Sequence, residues 1–389
     1  MTPDPGTPPT APARPHLDVV HVIATLTAGG AERQLEMLTS HSRHRSRVVA
    51  LYGSGGIAEG MRAQGREVQE LRAAGWRKAL VPLTLARQLR RTRPDVVHVH
   101  LLSGQLLGIP AARLARTPLL VSTEHSLMED TIEGRPHTWW LRLLYRLLER
   151  MTTHTIAVSD VTAQRLQRWG VRRDRISVAD LGVDLEALAF DPADRRAVRD
   201  ELALSPGTHV IGAVGRLEPV KRMDVVLRAT APQLRAGAVL VVAGAGPLQD
   251  DLQAVAVELG VAEQVRWLGS RDRMGAVLSA MDVLVSASAD ESFGMAVVEA
   301  VASGLPVVYV SCPALEDLPE PLAQCVHVPA SGDRDADARH LGDAVAARLA
   351  ATGQQRWPLP ASLDARYGAQ GAADRVDEVY ERLLADRRG

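Results

Sequence analysis

"SADESFGMAVVEAVASGLPVV", residues 288–308, sets a short helix between two strands, "DVLVSAS" (282–288) and "LPVVYVS" (305–311). Ser292 is placed to cap a helix running from about Phe293 to Ser303, Gly304 to stop it in a left-handed turn, and Pro306 to begin the next extended segment. Met295, Ala296, Val297, Val298, Ala300, Val301 and Ala302 make that helix apolar on nearly every side, which marks a helix packed on a sheet. Its only charge is Glu299, and Glu291 stands just before its N-terminus. A buried carboxylate needs a partner, because an unpaired one costs several kcal/mol (roughly 3 or more). That partner is either a protein cation or a ligand, and this segment alone leaves both open.

The same alternation runs along the whole chain. "LDVVHVIATL", "RVVALYG", "DVVHVHL", "LLVSTEH" and "HTIAVS" occupy the first half, and "HVIGAVG", "AVLVVAGAG" and "QVRWLG" join the two strands above in the second. Short runs that are apolar on both faces, separated by helix-length segments, predict parallel sheets covered by helices, hence two doubly wound α/β domains. The expected organisation is a Pro- and Thr-rich disordered tail over residues 1–15, a first domain over 16–190, a linker over 191–206 and a second domain over 207–370. A last helix over 371–389 can pack on the second domain or cross back to the first.

With 46% hydrophobic and 23% charged residues, the 389-residue chain has a globular composition. No basic start with an apolar run and no stretch of 18 apolar residues occurs, so the expected location is cytoplasmic. Cys312 and Cys325 are too few for a disulfide framework or a zinc site and read as free thiols. Charge is uneven: residues 1–204 carry 28 Lys and Arg against 22 Asp and Glu, and residues 43–93 carry 12 against 3. A solvated helix face explains this, and so does a peripheral seat on an anionic membrane or a phosphate-bearing acceptor. "HTWWLRLLYRLLER" (137–150) has the same two readings, a core-packed helix or an interfacial one, and the apolar stripe favours the core. Nucleic acid is not expected, since no aromatic-interleaved patch or binding motif accompanies the charge.

Ligands of open parallel sheets sit beyond the carboxyl ends of the strands. After the first strand, "TAGGAERQL" places Gly29 and Gly30 at a tight loop opening a helix, a setting that favours an anion. After the first strand of the second half, "GRLEPVKR" puts Arg216 and Lys221 in one loop, which suits a diphosphate. "AGAGP" (243–247) has Gln249 where a dinucleotide fingerprint needs its third glycine, so a dehydrogenase is a poor fit.

Taken in order, "GGAE", "DVVHVH", "GRLEPVK", "GAGP" and "DESFGMAVVEAVASGLPVV" resemble the retaining nucleotide-sugar glycosyltransferases of family 4, over residues 17 to 385. The resemblance implies two facing Rossmann-like domains (the GT-B fold) and an E-x7-E signature made by Glu291 and Glu299. It implies that Glu299 binds the nucleotide ribose and Glu291 the donor sugar. The backbone N–H groups of Phe293, Gly294 and Met295 would face sugar and phosphates, and Arg216 and Lys221 would clamp the diphosphate. Gly29 and Gly30 would approach the phosphates from the other domain, and His100 would reach the donor sugar. On the acceptor side, Glu124 and His125 are the candidates. No cofactor or metal is implied, and "DRDAD" (333–337) is a weak metal candidate.

The resemblance further implies transfer of a hexose or N-acetylhexosamine from a nucleotide sugar, with UDP the expected nucleotide. The acceptor would be a glycan, a lipid-linked molecule or a small natural product. Alternatives are a nucleotide-sugar epimerase and a nucleotide-sugar-binding protein without turnover. Three departures stand out: Arg222 follows the lysine where the family usually has Gly, Leu181 replaces Asn in "LGVD", and "SCPALEDL" replaces the glycine pair after the "PVV" strand.

Overall fold

Strands buried on both faces must be covered by helices on both faces, and the chain does this twice. In a computed structural model, which describes residues 16–27, 29–352 and 356–388, two parallel sheets form. The first contains β1 (Asp18–Leu26), β2 (Arg45–Ser54), β3 (Glu67–Glu70), β4 (Val96–His100) and β5 (Leu119–Glu124). A small antiparallel hairpin follows, β6 (Thr131–Ile132) with β7 (Arg135–Pro136), and then β8 (His154–Ala157) and β9 (Ile176–Val178) complete the sheet in the order β3-β2-β1-β4-β5-β8-β9. The second sheet comprises β10 (Val210–Val214), β11 (Val239–Ala243), β12 (Val265–Gly269), β13 (Val283–Ser286), β14 (Val307–Tyr309) and β15 (Cys325–His327), in the order β12-β11-β10-β13-β14-β15. The two-domain α/β architecture is as the sequence predicts.

Strand order reverses between β1 and β4 in the first sheet and between β10 and β13 in the second. A crevice opens at such a switch point because successive connections leave to opposite faces. The "GGAE" loop and His100 follow β1 and β4, while the Arg216–Lys221 loop and the Glu291 loop follow β10 and β13. Topology thus collects the motifs at two crevices.

Residues 191–206, expected to be a linker, are not one. Helix Pro192–Glu201 begins at Asp191, whose carboxylate accepts from Ala193 N. It docks on the second domain, where Arg195 and Arg199 meet the buried Asp282 at 2.6 and 3.5 Å. Two of its arginines thus serve an internal ion pair, while Arg196, Asp200 and Glu201 stay exposed. The actual crossing lies near residues 179–184. There Val183 N donates to Tyr367 O at 2.7 Å and Val183 bridges Gly368, so the outgoing and returning chains run side by side. Helix Ala369–Arg388 then packs on the first domain, burying Ala373, Val376, Val379 and Tyr380 against Val19, Leu38, Val121 and Ile156. The tail expected over residues 1–15 lies outside the described residues. Among those described, no helix is long and apolar enough to cross a membrane.

Candidate active site

The second-domain crevice begins where β10 ends. The chain turns through Gly215 (φ 151°) into a short 3-10 turn, Pro219–Lys221, which carries Lys221 toward the next loop. Lys221 Nζ donates to Glu291 Oε1 at 2.6 Å, and Glu291 is buried. The clamp lysine and the first signature acid therefore form one ion pair. Arg216 remains largely in solvent, paired with Glu218 at 2.8 Å. Arg222, in the family's glycine position, adopts the left-handed conformation (φ 49°, ψ 43°) that favours glycine. Its guanidinium bonds the buried Asp337 at 2.7 Å. Burial raises the Asp337 carboxyl, but hydrogen bonds from Ser331 and Arg222 outweigh it and hold the group below the usual range. Asp337, the last acid of "DRDAD", is thus committed to the protein.

The signature helix spans Met295–Ala302, two residues shorter at its start than the sequence suggests. Gly294 adopts φ 96° and starts it without a side-chain cap. A Cβ on Gly294 would also come within 2.5 Å of Cys312 Sγ, so glycine is required twice over. Ser292 is not the cap. Its hydroxyl donates across the interdomain boundary to His125 O at 2.7 Å. Phe293 is a core residue, its ring edge-on to Tyr367 with centroids 5.2 Å apart. Met295 faces the first domain, with its sulfur 3.6 Å from Gln34 Nε2.

Glu299 answers the question its sequence left open. Among the described residues it forms no ion pair and no hydrogen bond through its carboxylate. Burial pushes its carboxyl up to about 7, opposed only by the charge of Arg33 on the facing helix Gly30–His41. A carboxylate left without a protein partner beside an interdomain crevice is available to a ligand.

In the first domain, three histidines form a chain. His21 Nδ1 lies 3.1 Å from His100 Nε2, and His100 Nδ1 lies 3.3 Å from His125 Nε2. All three are buried, and burial lowers them, His21 to about 3 and His125 to about 4, so the rings are neutral. His100, expected at the donor sugar, here has both ring nitrogens engaged by histidines, while His125 Nδ1 is buried without a partner. Nitrogens of His21, His98 and His100 approach closely enough for a metal. However, His98 has both its own nitrogens within 2.6 Å of Tyr380 Oη and Thr123 Oγ1, which makes it a packed core histidine.

Glu124 is turned inward. It is fully buried and accepts from Ser126 N and Tyr145 Oη, each at 3.1 Å, and burial raises its carboxyl to about 7. Of the two acceptor-side candidates, only His125 touches the interdomain boundary. Gly29 caps the helix Gly30–His41 in extended conformation. A Cβ there would meet Glu32 Oε2 at 2.1 Å, so the first-turn carboxylate already lies over the loop expected to greet an anion. At Gly30 no atom would crowd a Cβ.

The domains touch through polar contacts that no sequence motif announced. Arg165 donates to Asp290 Oδ1 at 2.5 Å and to Glu291 O at 3.2 Å, and within its own domain to Leu127 O at 3.0 Å. Ser159 Oγ donates to Ser292 O at 2.5 Å, Glu129 N to Asp290 Oδ2 at 2.7 Å, and Arg33 to the carbonyls of Arg271 and Asp272. The loop carrying Glu291 is therefore clasped by the first domain. Arg165 sits in an unremarkable "AQRLQR" stretch, where only tertiary contact gives it meaning. Replacing Arg165 with Ala should remove charge-assisted bonds with a net worth of about 2 kcal/mol. The expected result is a larger radius of gyration by small-angle scattering and a tenfold or so lower turnover; unchanged dimensions would show that the clasp does not hold the domains.

Comparison with known proteins agrees with this geometry. Residues 28–187 match the family described as Glycosyltransferase Family 4, and residues 208–347 match Glycosyl transferases group 1. A D-inositol 3-phosphate glycosyltransferase of Mycolicibacterium gilvum is 34% identical over 316 residues, 76% of this chain and 67% of its own. The protein of that name in Nocardia farcinica is 36% identical over 255 residues, 59% of this chain and 55% of its own. The chain thus spans about half to two thirds of these relatives' length. The structure of Anabaena HepE in complex with UDP and glucose superposes with a TM-score of 0.80 at 20% identity, over 94% of this chain and 100% of that one. WaaG, a glycosyltransferase involved in lipopolysaccharide biosynthesis, superposes with a TM-score of 0.66 at 18% identity, over 93% of this chain and 95% of that one. In sequence and in fold, the chain belongs to glycosyltransferase family 4.

Proposed function

We propose that the protein transfers a hexose or N-acetylhexosamine from a UDP-sugar to a hydroxyl acceptor with retention of configuration, without a metal. The observation that carries this reading is Glu299, a half-buried carboxylate beside the crevice with no partner among the described residues. A ribose diol satisfies such a group without requiring a cation. Lys221 and Arg216 lie in one loop at a strand's carboxyl end, and their charge would stabilise the diphosphate as the bond from its oxygen to the sugar's C1 breaks. The acceptor oxygen bonds C1 from the same face, and its proton leaves on the departing diphosphate. Glu291, held by Lys221, would take sugar hydroxyls. UDP is favoured as the nucleotide by the ligand of the HepE structure, and the relatives' name makes inositol 3-phosphate the first acceptor to try, before lipid-linked and natural-product alcohols.

The test is a thermal-shift panel of UDP, GDP, ADP and TDP, followed by transfer assays with UDP-sugars and NMR of the product's anomeric centre. One nucleotide series should raise the melting temperature, and the product should keep the donor's anomeric configuration. Absence of any nucleotide shift would remove the donor site, and an inverted product would remove retention.

A further inference from the structure

The helix Trp139–Met151 buries Leu141, Tyr145 and Leu148 against the first domain, as a core helix should. Its outer face is nevertheless apolar: Trp139 is 77% exposed, Trp140 52%, Leu143 50% and Leu147 49%. Positions 139, 143 and 147 repeat every four residues and Trp140 lies beside them, so these side chains form one continuous stripe. An exposed stripe of this size, with two tryptophans, marks a surface that meets an apolar or interfacial partner.

The stripe belongs to a wider face. The helix Leu101–Ala115 packs against Trp139–Met151, and Val81–Thr92 packs against Leu101–Ala115. Arg113 donates to Met151 O and Arg90 to Leu114 O at 2.7 Å, which ties the three helices side by side. Leu83 on Val81–Thr92 and Leu114 on the central helix Leu101–Ala115 add exposed apolar surface. Arg90, Arg93 and Arg116 line a cavity of about 580 Å³ between the C-terminal ends of Val81–Thr92 and Leu101–Ala115. Arg87 and Arg150 are exposed as well. The one carboxylate on the three helices is Glu149, buried and 3.3 Å from Arg175. Among the described residues, no arginine on these helices has a carboxylate within ion-pair distance. The face is therefore cationic and apolar together, which suits anionic headgroups above a hydrocarbon boundary, where tryptophan prefers to lie.

We propose that this three-helix face seats the protein on an anionic lipid bilayer, with Trp139, Trp140, Leu143 and Leu147 entering the interface and the arginines contacting lipid phosphates. This goes beyond the transferase reading and stands without it.

The experiment is flotation of the full chain with phosphatidylcholine vesicles and with vesicles also containing phosphatidylglycerol, at low and high salt. The wild type should bind the anionic vesicles at least tenfold better than the neutral ones, and high salt should weaken the binding. The paired variants Trp139→Ser/Trp140→Ser and Arg87→Glu/Arg150→Glu should each lower it at least tenfold. The melting temperature of each unliganded variant, measured on the same samples, should stay within a few degrees of the wild type, which shows that the variants are folded and keeps this proposal separate from the donor site. No binding to anionic vesicles, or equal binding to neutral ones, overturns the proposal. So does a concentration-dependent dimer that the tryptophan variant dissolves while vesicle binding is absent, since a second copy would then cover the stripe.

Discussion

Glu299→Ala abolishes the rise in melting temperature that UDP gives the wild type, while the unliganded variant melts within a few degrees of it. This is the expected result because Glu299 has no protein cation to lose. Removing it relieves a half-buried charge and breaks no ion pair among the described residues. A ligand that binds only the folded state at a hundred times its Kd adds about 2.7 kcal/mol, and that increment should vanish. A structural carboxylate would behave in the opposite way, lowering the melting temperature of the free protein and leaving the nucleotide shift in place.

The same residue has a pH signature. Burial lifts its carboxyl from 4.5 to about 7, so the folded state holds the proton more tightly than the unfolded one. Its stabilising contribution is complete below about 4.5 and is lost as pH rises through 7, at most about 3 kcal/mol in total. Glu124, also lifted to about 7, adds a change of the same sign. Subtracting the Glu299→Ala profile from that of the wild type isolates Glu299. Nucleotide affinity should run against stability, weakening below pH 7, where the protonated carboxyl accepts hydrogen bonds less well. A pH-independent difference between the two stability profiles would contradict the raised carboxyl.

Lys221→Ala should lower kcat by about 10² to 10³, the usual loss when one group stabilising a developing negative charge is removed. It should also destabilise the protein, because Glu291 is buried and its partner at 2.6 Å disappears; breaking such a pair costs about 3 kcal/mol. The two effects separate in Lys221→Ala/Glu291→Gln, which removes the orphaned charge. That variant should regain much of the stability and none of the activity. Recovery of turnover together with stability would mean that Lys221 matters for folding alone, and denaturant titration with initial-rate assays on the three proteins decides it.

The two parallel sheets are legible in the sequence, since runs such as "VVHVH" and "VLVVA", apolar on both faces, fit only strands covered by helices on both sides. The sequence also put Lys221 and Glu291 at two strand ends, which the fold brings together as an ion pair, because strand ends are readable from local pattern. It misjudged what depends on distant partners. Charge and proline at residues 191–206 suggested a linker, whereas Arg195 and Arg199 dock that helix on Asp282, 87 and 83 residues away along the chain. Ser292 looked like a cap because caps are local, yet its hydroxyl crosses to His125 and Gly294 starts the helix. Glu124 and His125 are neighbours at one strand end, and only the packing of Tyr145 turns the first inward while the second meets the other domain. Only the packing of remote segments shows that Glu299 lacks an ion-pair partner among the described residues, that Arg165 clasps the Glu291 loop, and that the tryptophans of a helix that reads as core face outward. Periodicity is a local property of the chain, whereas the presence of a partner for a charge, or of a cover for an apolar stripe, depends on which remote segments the fold brings alongside.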